Sequence, residues 1–304
     1  MDAQGQNIKS LANGESQSAG TGFLSVDQRD ILRIFLRNRL SVLGLGIVVF
    51  WLTVAIIGPA LAPLPPQEMD IMNRRSPPNA AHPLGTDWLG RDVFSRVLHG
   101  TPITLLIGVV PIAIAILIGV PTGAIAGYFG GRVETLIMRT ADIFLSVPAL
   151  VLAIAVTAAL GPSLLNAMIA VSVVWWPWYT RLIHSQTLSL SKRVFVEAAI
   201  GLGASHRSII VRHLLPNMAS SIFVRGSLDL GFAVLTMAGL GFIGMGAQAP
   251  SPEWGLAVSL GRRFMPEFWW ISVFPGLAIF SVVLGFNLLG DGIRDALDPE
   301  IRGR

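Results

Sequence analysis

Two pairs of opposite charges lie within long apolar stretches of the sequence. Arg225 and Asp229 are four residues apart, and Arg139 and Asp142 are three apart. On a helix the members of each pair share a face and can neutralise each other. A charge at the centre of a membrane helix costs about 2.5–3.5 kcal/mol, so such residues often have a function. Two interpretations stay open: the pairs line a wet pathway and meet a solute, or they are local pairs near the interface that reach out to water.

No other group of residues forms a recognisable catalytic or metal site. The motifs H-E-x-x-H, G-x-S-x-G and G-x-x-x-x-G-K-[ST] are missing from the sequence. The chain has no cysteine, which excludes thiol catalysis and cysteine-bound metal. The five histidines are scattered outside the apolar runs or at their edges. We therefore predict that the chain is not an enzyme, has no metal or other cofactor of its own and does not hydrolyse ATP by itself.

The composition predicts an integral membrane protein. Hydrophobic residues make up 52% of the chain, and charged residues make up 13%, where a soluble domain has about 25%. A helix needs about 20 apolar residues to cross a bilayer. Stretches of that kind cover residues 41–62, 101–128, 135–160, 164–183, 217–245 and 268–289. The predicted fold class is all-α, with six transmembrane helices in contact with membrane lipid.

Polar segments flank and divide these helices. Residues 1–28 are predicted to be a disordered cytoplasmic tail, because they are polar and rich in Gly, Ser, Asn and Gln. Residues 29–80 contain the first transmembrane helix, and residues 101–290 form the transmembrane core, which contains the other five. Residues 291–304 are predicted to be a cytoplasmic C-terminal tail with one short helix.

Residues 81–100 read as an amphipathic helix on the extracytoplasmic side, lying on the bilayer. One face is apolar (Leu89, Val93, Phe94, Val97, Leu98) and the other polar (Arg91, Asp92, Ser95, Arg96). Asp92 and Arg96 are four apart and are predicted to pair. Thr101 is predicted to cap the second span, with Pro102 as its first residue.

The distribution of positive charge predicts the orientation. With a cytoplasmic N-terminus, fifteen of the 22 Lys and Arg residues lie inside, six lie outside and Arg225 lies in a span. The positive-inside rule favours this arrangement. Both termini are then cytoplasmic, and so is the polar segment 191–217. Membrane topology accounts for the net charge of +4, so no nucleic-acid partner is predicted.

The segment 192–217 is the longest charged stretch between two apolar blocks. It begins with an apolar helix face made of Val194, Phe195, Ala198, Ala199 and Leu202. Gly201 and Gly203 are predicted to end that helix, and Ser205 to cap a second one that runs through Leu215. A helix–turn–helix between two spans offers a surface to a partner outside the membrane.

This segment resembles the EAA loop of permease subunits of bacterial ATP-binding-cassette importers. In that family E-A-A is followed after three residues by G, and after nine more by I-x-L-P. Glu197-Ala198-Ala199, Gly203 and Leu215-Pro216 match this spacing, and His213 replaces the isoleucine. The runs R-H-L-L-P-N and H-P-L-G-T-D-x-x-G-R-D-x-x-S-R resemble the dipeptide, oligopeptide and nickel branch, in its second permease subunit. The resemblance extends from about residue 29 to the C-terminus.

The resemblance implies the MetI-like core of type I importers, in the bacterial plasma membrane. It implies three kinds of partner: a homologous permease subunit, two ATPase subunits that bind ATP and Mg, and an extracytoplasmic substrate-binding protein. It also implies alternating access driven by the ATPases. The residues that would contact an ATPase are Glu197, Ala198, Ala199, Ile200, Leu202, Gly203 and Ala204. Arg225 and Asp229 are the candidate pathway residues and would meet the termini of a short peptide.

Three alternatives stay open at this stage. A nickel or metal-chelate importer of the same branch is one, although the spans hold no histidine cluster. An ion-coupled secondary transporter would need a coupling carboxylate, for which Asp229 is a candidate. A membrane-embedded enzyme would need a reactive pair facing a cavity. A peptide pathway would be lined by small and weakly polar residues, here Gly231, Ala233, Thr236, Ala238 and Gly239.

Overall fold

The computed structural model describes residues 28–297, with side chains from residue 33 onward. The predicted tail 1–28 lies outside the described residues except for Gln28, and so does the end of the 291–304 tail. The α-helices are α1 Gln28–Arg37, α2 Arg39–Leu61, α3 Val93–Phe129, α4 Gly131–Leu145, α5 Ala149–Leu160, α6 Leu164–Leu190, α7 Val194–Gly201, α8 His206–Phe242, α9 Trp254–Gly261 and α10 Trp270–Leu297. Short 3-10 turns cover Ile71–Asn73 and Arg262–Phe264.

Within the described range, α2, α3, α8 and α10 are long and apolar enough to cross a membrane. The pair α4 and α5 passes the same test as one broken span, with a bend of 89°. The sequence predicts one span over residues 135–160, but the helix is interrupted at residues 146–148, which include Pro148. Helix α6 has 27 residues and falls short of that test, because its aromatic and charged second half lowers its mean hydropathy.

The predicted start of the second span is wrong. Helix α3 begins at Val93, where the Asp92 carboxylate caps it by accepting from the Ser95 N–H at 2.7 Å. Thr101 lies inside the helix, and its hydroxyl donates to the Val97 carbonyl at 2.9 Å. The sequence suggests a start at Thr101-Pro102 because proline favours a first turn, yet Asp92 supplies a stronger cap nearer the polar loop.

The amphipathic surface helix predicted over residues 81–100 is also wrong. Its polar side chains are buried together with its apolar ones, because residues 62–92 fold back over the ends of α3, α9 and α10. We call residues 62–92 the cap. Asp92 pairs with His82 (Nδ1 to Oδ1, 3.0 Å), and Arg96 donates to backbone carbonyls at Pro66 and Ser251, so the predicted Asp92–Arg96 pair does not form.

Glycine lets the helices of the bundle approach closely. Gly119, Gly123 and Gly127 form a stripe on α3 against α6, where a Cβ atom would come within 2.5–2.7 Å of α6 atoms. Such small-residue contacts are typical of membrane helices, which gain little from burying apolar surface against one another. Gly44 of α2 meets Leu288 and Leu289 of α10 in the same way. Helix α10 runs on to Leu297, so the predicted separate tail helix is a continuation of the last span.

Candidate functional site

Residues 191–217, which we call the hairpin, form the predicted helix–turn–helix. Helix α7 ends at Gly201, and Gly203 takes a left-handed φ of +80° that a side chain rarely adopts. The Ser205 hydroxyl then caps the next helix by accepting from the Ser208 N–H at 3.3 Å. The second arm differs from the prediction, because it does not end near Leu215. It passes through a π-helical stretch, Ile209–Leu214, and continues as the span in α8.

The inner side of the hairpin is anchored on the bundle. Val196, Ile209 and Leu214 are buried in one cluster with Val120 of α3 and Ile183 of α6. At the edge of this cluster the hydroxyl of Tyr128 is 2.8 Å from Nδ1 of His206. The hairpin is therefore packed against α3 and α6, and its second arm continues directly into the span of α8.

The outer side of the hairpin exposes apolar side chains. Val194 is 79% exposed, Leu202 is 89% exposed and Ile200 is 52% exposed. Glu197 and Ala198 are exposed beside them, while Ala199 and Ala204 are half-buried. The predicted apolar face is thus split, because Val196 supplies the buried anchor while Val194 and Leu202 point away from the bundle. An exposed apolar patch of this kind marks a site of interaction.

The second candidate site is the ion pair in α8. Arg225 Nε donates to Asp229 Oδ2 at 2.9 Å, as the spacing predicts. The Asp229 side chain is 2% exposed and that of Arg225 is 46% exposed. The carboxylate is therefore held inside the bundle, and the guanidinium lies at its surface.

Sequence reasoning missed Tyr179, which lies on α6 against this pair. The residue is fully buried, and its hydroxyl has no hydrogen-bond partner within the described part of the chain. The charged side chains of Asp229 and Arg225 lie near enough to interact electrostatically with this hydroxyl. Tyr179 follows Trp175, Trp176 and Trp178 in the sequence, a row typical of an interfacial aromatic belt, and no local pattern distinguishes it from them.

The other predicted pair does not form. Asp142 of α4 pairs with Arg181 of α6 instead of with Arg139, and both partners are about half exposed. Glu134 of α4 lies 2.8 Å from Nε2 of His184, also on α6. These two contacts hold α4 against α6, which gives the polar groups of α4 a structural role.

The small residues of α8 mostly do not line an open surface. Gly231, Ala233 and Ala238 are buried against neighbouring helices. Gly231, for example, faces Val283 and Asn287 of α10. Thr236 and Gly239 are half-buried. The prediction that these five residues form a small-residue lining is therefore wrong for Gly231 and Ala233, since small residues in membrane helices serve packing as readily as access. Ala238 and Gly239 do line an open groove on this helix.

Comparison with known proteins gives consistent matches over most of the chain. Residues 119–303 match the model of a family described as binding-protein-dependent transport system inner membrane component. Residues 29–78 match the N-terminal TM domain of oligopeptide transport permease C.

Curated relatives cover most of the chain. The probable D,D-dipeptide transport system permease protein DdpC of Escherichia coli K12 is 48% identical, over 87% of this chain and 89% of its own. The dipeptide transport system permease protein DppC of Alkalihalophilus pseudofirmus is 42% identical, over 90% of each chain. The glutathione transport system permease protein GsiD of Pectobacterium atrosepticum is 40% identical, over 90% of this chain and 91% of its own.

A solved structure shares the fold. A chain of the inward-facing MetNI methionine ABC transporter superposes with a TM-score of 0.55 at 18% identity. It covers 67% of this chain and 97% of the MetNI chain. The helical arrangement is therefore a MetI-like permease fold.

Proposed function

This chain belongs to the family of inner membrane components of binding-protein-dependent transport systems, and we propose that it moves short peptides or peptide-like compounds across the bacterial plasma membrane. It is the permease of an ATP-binding-cassette importer. The observation that carries its mechanism is the outer side of the hairpin, where Leu202 is 89% exposed although Val196 in the same segment is fully buried. Such a segment is anchored to the spans and offers an apolar surface to a partner.

The partner that suits this surface is an ATPase subunit. Leu202, Ile200 and Ala198 fill a groove on it, Glu197 adds a polar contact at the rim, and the turn at Gly203 and Ala204 sets the angle of the two arms. ATP and Mg bind to the two ATPase subunits. Their closure pushes the hairpin, and the buried cluster around Val196 and Ile209 transmits that movement to α3, α6 and α8. The chain itself is not an enzyme.

The rest of the proposed assembly follows from the family. A homologous permease subunit covers the open side of the bundle, and a substrate-binding protein docks on the cap. Alternating access then exposes a shared pathway to each side of the membrane in turn.

We propose six spans with both termini in the cytoplasm. These are α2, α3, the broken pair α4–α5, α6, α8 and α10, in which α6 is long enough at 27 residues. The positive-inside rule supports this orientation. A single cysteine at Ala80 in the cap should react with an impermeant thiol reagent in intact cells, and one at Lys192 in the hairpin only after permeabilisation. The opposite labelling would show that the orientation is reversed and that the hairpin cannot contact a cytoplasmic ATPase.

The hairpin proposal is tested by a matched pair of substitutions. Leu202→Asp places a charge on the proposed ATPase surface, whereas Met72→Asp places the same charge on the cap. Met72 is 92% exposed, so both residues are equally open to water. We expect Leu202→Asp to abolish co-purification of the ATPases and ATP-dependent uptake into proteoliposomes, and Met72→Asp to retain co-purification of the ATPases. Equal retention by the two variants would exclude the hairpin as the ATPase contact.

A peptide is the proposed substrate because the curated relatives are named for dipeptide, D,D-dipeptide and glutathione transport. The second candidate is nickel or a metal chelate, which a pore without metal ligands could still pass. Reconstituted complex with its binding protein should import labelled di- to pentapeptides in an ATP-dependent manner. Uptake of nickel or its chelate with no peptide uptake would overturn the substrate while leaving the permease function intact. Uptake driven by an ion gradient without ATP would favour the secondary-transporter alternative.

A further inference from the structure

One exposed face of α8 includes a charge, and this distinguishes it from the open face of α2. Arg225, Phe232, Leu235 and Phe242 are spaced by seven, three and seven residues, so they lie on one side of the helix. All are at least one-third exposed. The open face of α2, by contrast, has no charged residue between Leu40 and Leu61. Because ionisable side chains in spans almost always face protein or water, we expect the Arg225 face of α8 to turn toward protein or a water-filled path and not toward lipid.

The guanidinium is held in a direction that leaves its end free. Helical side chains lean toward the helix N-terminus, which for Arg225 is the cytoplasmic end of the span in the proposed orientation. Arg225 instead pairs with Asp229, one turn further into the membrane, so it does not reach back to the nearer water. Nε makes this contact, and the two terminal nitrogens form no hydrogen bond with the described residues. Those two nitrogens have the spacing that binds both oxygens of a carboxylate.

Asp229 and Tyr179 explain how a cation is kept at this place. The Asp229 carboxylate is buried and balances the charge of Arg225. The hydroxyl of Tyr179, fully buried and without another partner among the described residues, faces this carboxylate from α6. A buried polar group without a partner is unfavourable, so a small shift that lets Tyr179 donate to Asp229 is favourable. With that hydrogen bond, Tyr179 holds Asp229 from a second helix.

We propose that Arg225 is the permease contact for the C-terminal carboxylate of the transported peptide, with Asp229 and Tyr179 as positioning residues. Every unmodified peptide has this group whatever its side chains, so one contact serves many sequences. A single carboxylate contact at a partly exposed cation is also weak enough to release the peptide during each cycle. This inference rests on the proposed function and adds to it the chemical group that is recognised within the membrane.

The test compares free-acid peptides with the same peptides amidated at the C-terminus. ATP-dependent uptake of both is measured with the full reconstituted complex and saturating binding protein, for the unmodified complex and for each variant. The binding protein can itself discriminate between free-acid and amidated peptides, but that discrimination is the same for the unmodified complex and for every variant. The ratio of free-acid to amide uptake, compared between variant and unmodified complex, therefore reports the permease alone.

We expect Arg225→Gln to lower this ratio about tenfold, which corresponds to a charge-assisted hydrogen bond. Arg225→Lys keeps the charge but loses the pair of terminal nitrogens that can bind both carboxylate oxygens, so it should lower the ratio about threefold. Tyr179→Phe should lower it less, by raising KM for the free acid alone. Arg181→Gln is the matched control, because Arg181 has a carboxylate partner on the bundle surface, and it should leave the ratio unchanged.

Two results would overturn the inference. Equal losses of uptake for free acid and amide would assign Arg225 a structural role, and unchanged uptake of both would remove it from the pathway. If Arg225→Gln fails to assemble because Asp229 is left unpaired, the double variant Arg225→Gln/Asp229→Asn and Arg225→Lys report the same ratio. If the unmodified complex imports neither form of any peptide, the peptide substrate is wrong and the inference falls with it.

Discussion

The cap and the hairpin lie at opposite ends of the bundle. The cap buries charged side chains, whereas the hairpin exposes apolar ones. In the cap, Asp87 and Arg91 are each 2% exposed and pair at 2.6 Å (Nε to Oδ2). In the hairpin, Leu202 is almost fully exposed and the described residues form no salt bridge. The cap therefore pairs its buried charged side chains with one another, whereas the hairpin leaves apolar side chains exposed. The cap is therefore expected to be rigid by itself, whereas the exposed apolar surface of the hairpin is suited to binding another chain.

The two regions also differ in why they need glycine. In the cap, Gly90 has a φ of +78°, and a Cβ there would overlap the carbonyl oxygen of Asp70. In the hairpin, Gly203 has a similar φ of +80°, but no atom lies within 4 Å of the position of its Cβ. Gly90 is needed for both backbone conformation and space, and Gly203 for conformation alone.

Alanine at these two glycines should give the largest difference in stability between the regions. Gly90→Ala must separate residues 70 and 90, and we expect a loss above about 4 kcal/mol, with little assembled permease in the membrane. Gly203→Ala should cost about 1–2 kcal/mol, the penalty for a left-handed residue with a side chain. Membrane abundance and the apparent thermal midpoint of the purified complex measure both. Similar losses for the two would show that the cap is as adaptable as the hairpin.

Loss of a buried ion pair should have the next largest effect. Asp87→Asn leaves Arg91 buried without its counter-charge and should destabilise the chain by about 3–5 kcal/mol. Asp142→Asn breaks the exposed pair with Arg181 and should cost at most about 1 kcal/mol. Thermal midpoints of the two variants give the comparison. An Asp87→Asn variant as stable as the unmodified chain would mean that water reaches the cap interior.

Proline in the hairpin should change transport more than stability. Gly203→Pro forces φ to about −65° and removes the N–H that donates to the Ile200 carbonyl at 2.9 Å. We expect the chain to remain inserted, because this turn is exposed, while uptake and substrate-stimulated ATPase activity fall together. Both activities are measured in proteoliposomes at equal permease content. Full uptake by this variant would show that the angle between the arms is irrelevant to coupling.

A pH-dependent effect of smaller size is expected at Glu253, the N-cap residue of α9. Both carboxylate oxygens accept N–H groups at 2.7 Å, from Gly255 and Leu256, but burial dominates and raises the pKa of Glu253 above its usual 4.5. A raised pKa favours the protonated folded state, so this contribution is present below pH 4.5 and is lost as the pH rises through the folded pKa. The stability of the unmodified chain relative to Glu253→Gln should therefore decrease from pH 4.5 upward. A constant difference in thermal midpoint across that range would contradict the buried carboxyl.

Local features of the sequence were sufficient for the elements of this protein. Long apolar runs predicted the helices α2, α8 and α10 to within a few residues at most ends, because burial in lipid requires continuous hydrophobicity. Gly203 and Ser205 predicted the turn of the hairpin, since a left-handed residue and a cap are local requirements. The four-residue spacing of Arg225 and Asp229 predicted their contact for the same reason.

Only the tertiary structure decided which distant groups meet. Asp142 is three residues from Arg139 yet pairs with Arg181, and the side chains of Arg91 and Arg96 enter the protein where a helix period suggested a wet surface. Tyr179 became a candidate only when α6 was placed against α8. Helix periodicity determines which residues share a face, but the neighbour of that face depends on close contacts far along the chain, such as those of Gly90 with Asp70. Those contacts have no local signature, so the choice between lipid, water and protein for each face belongs to the folded structure.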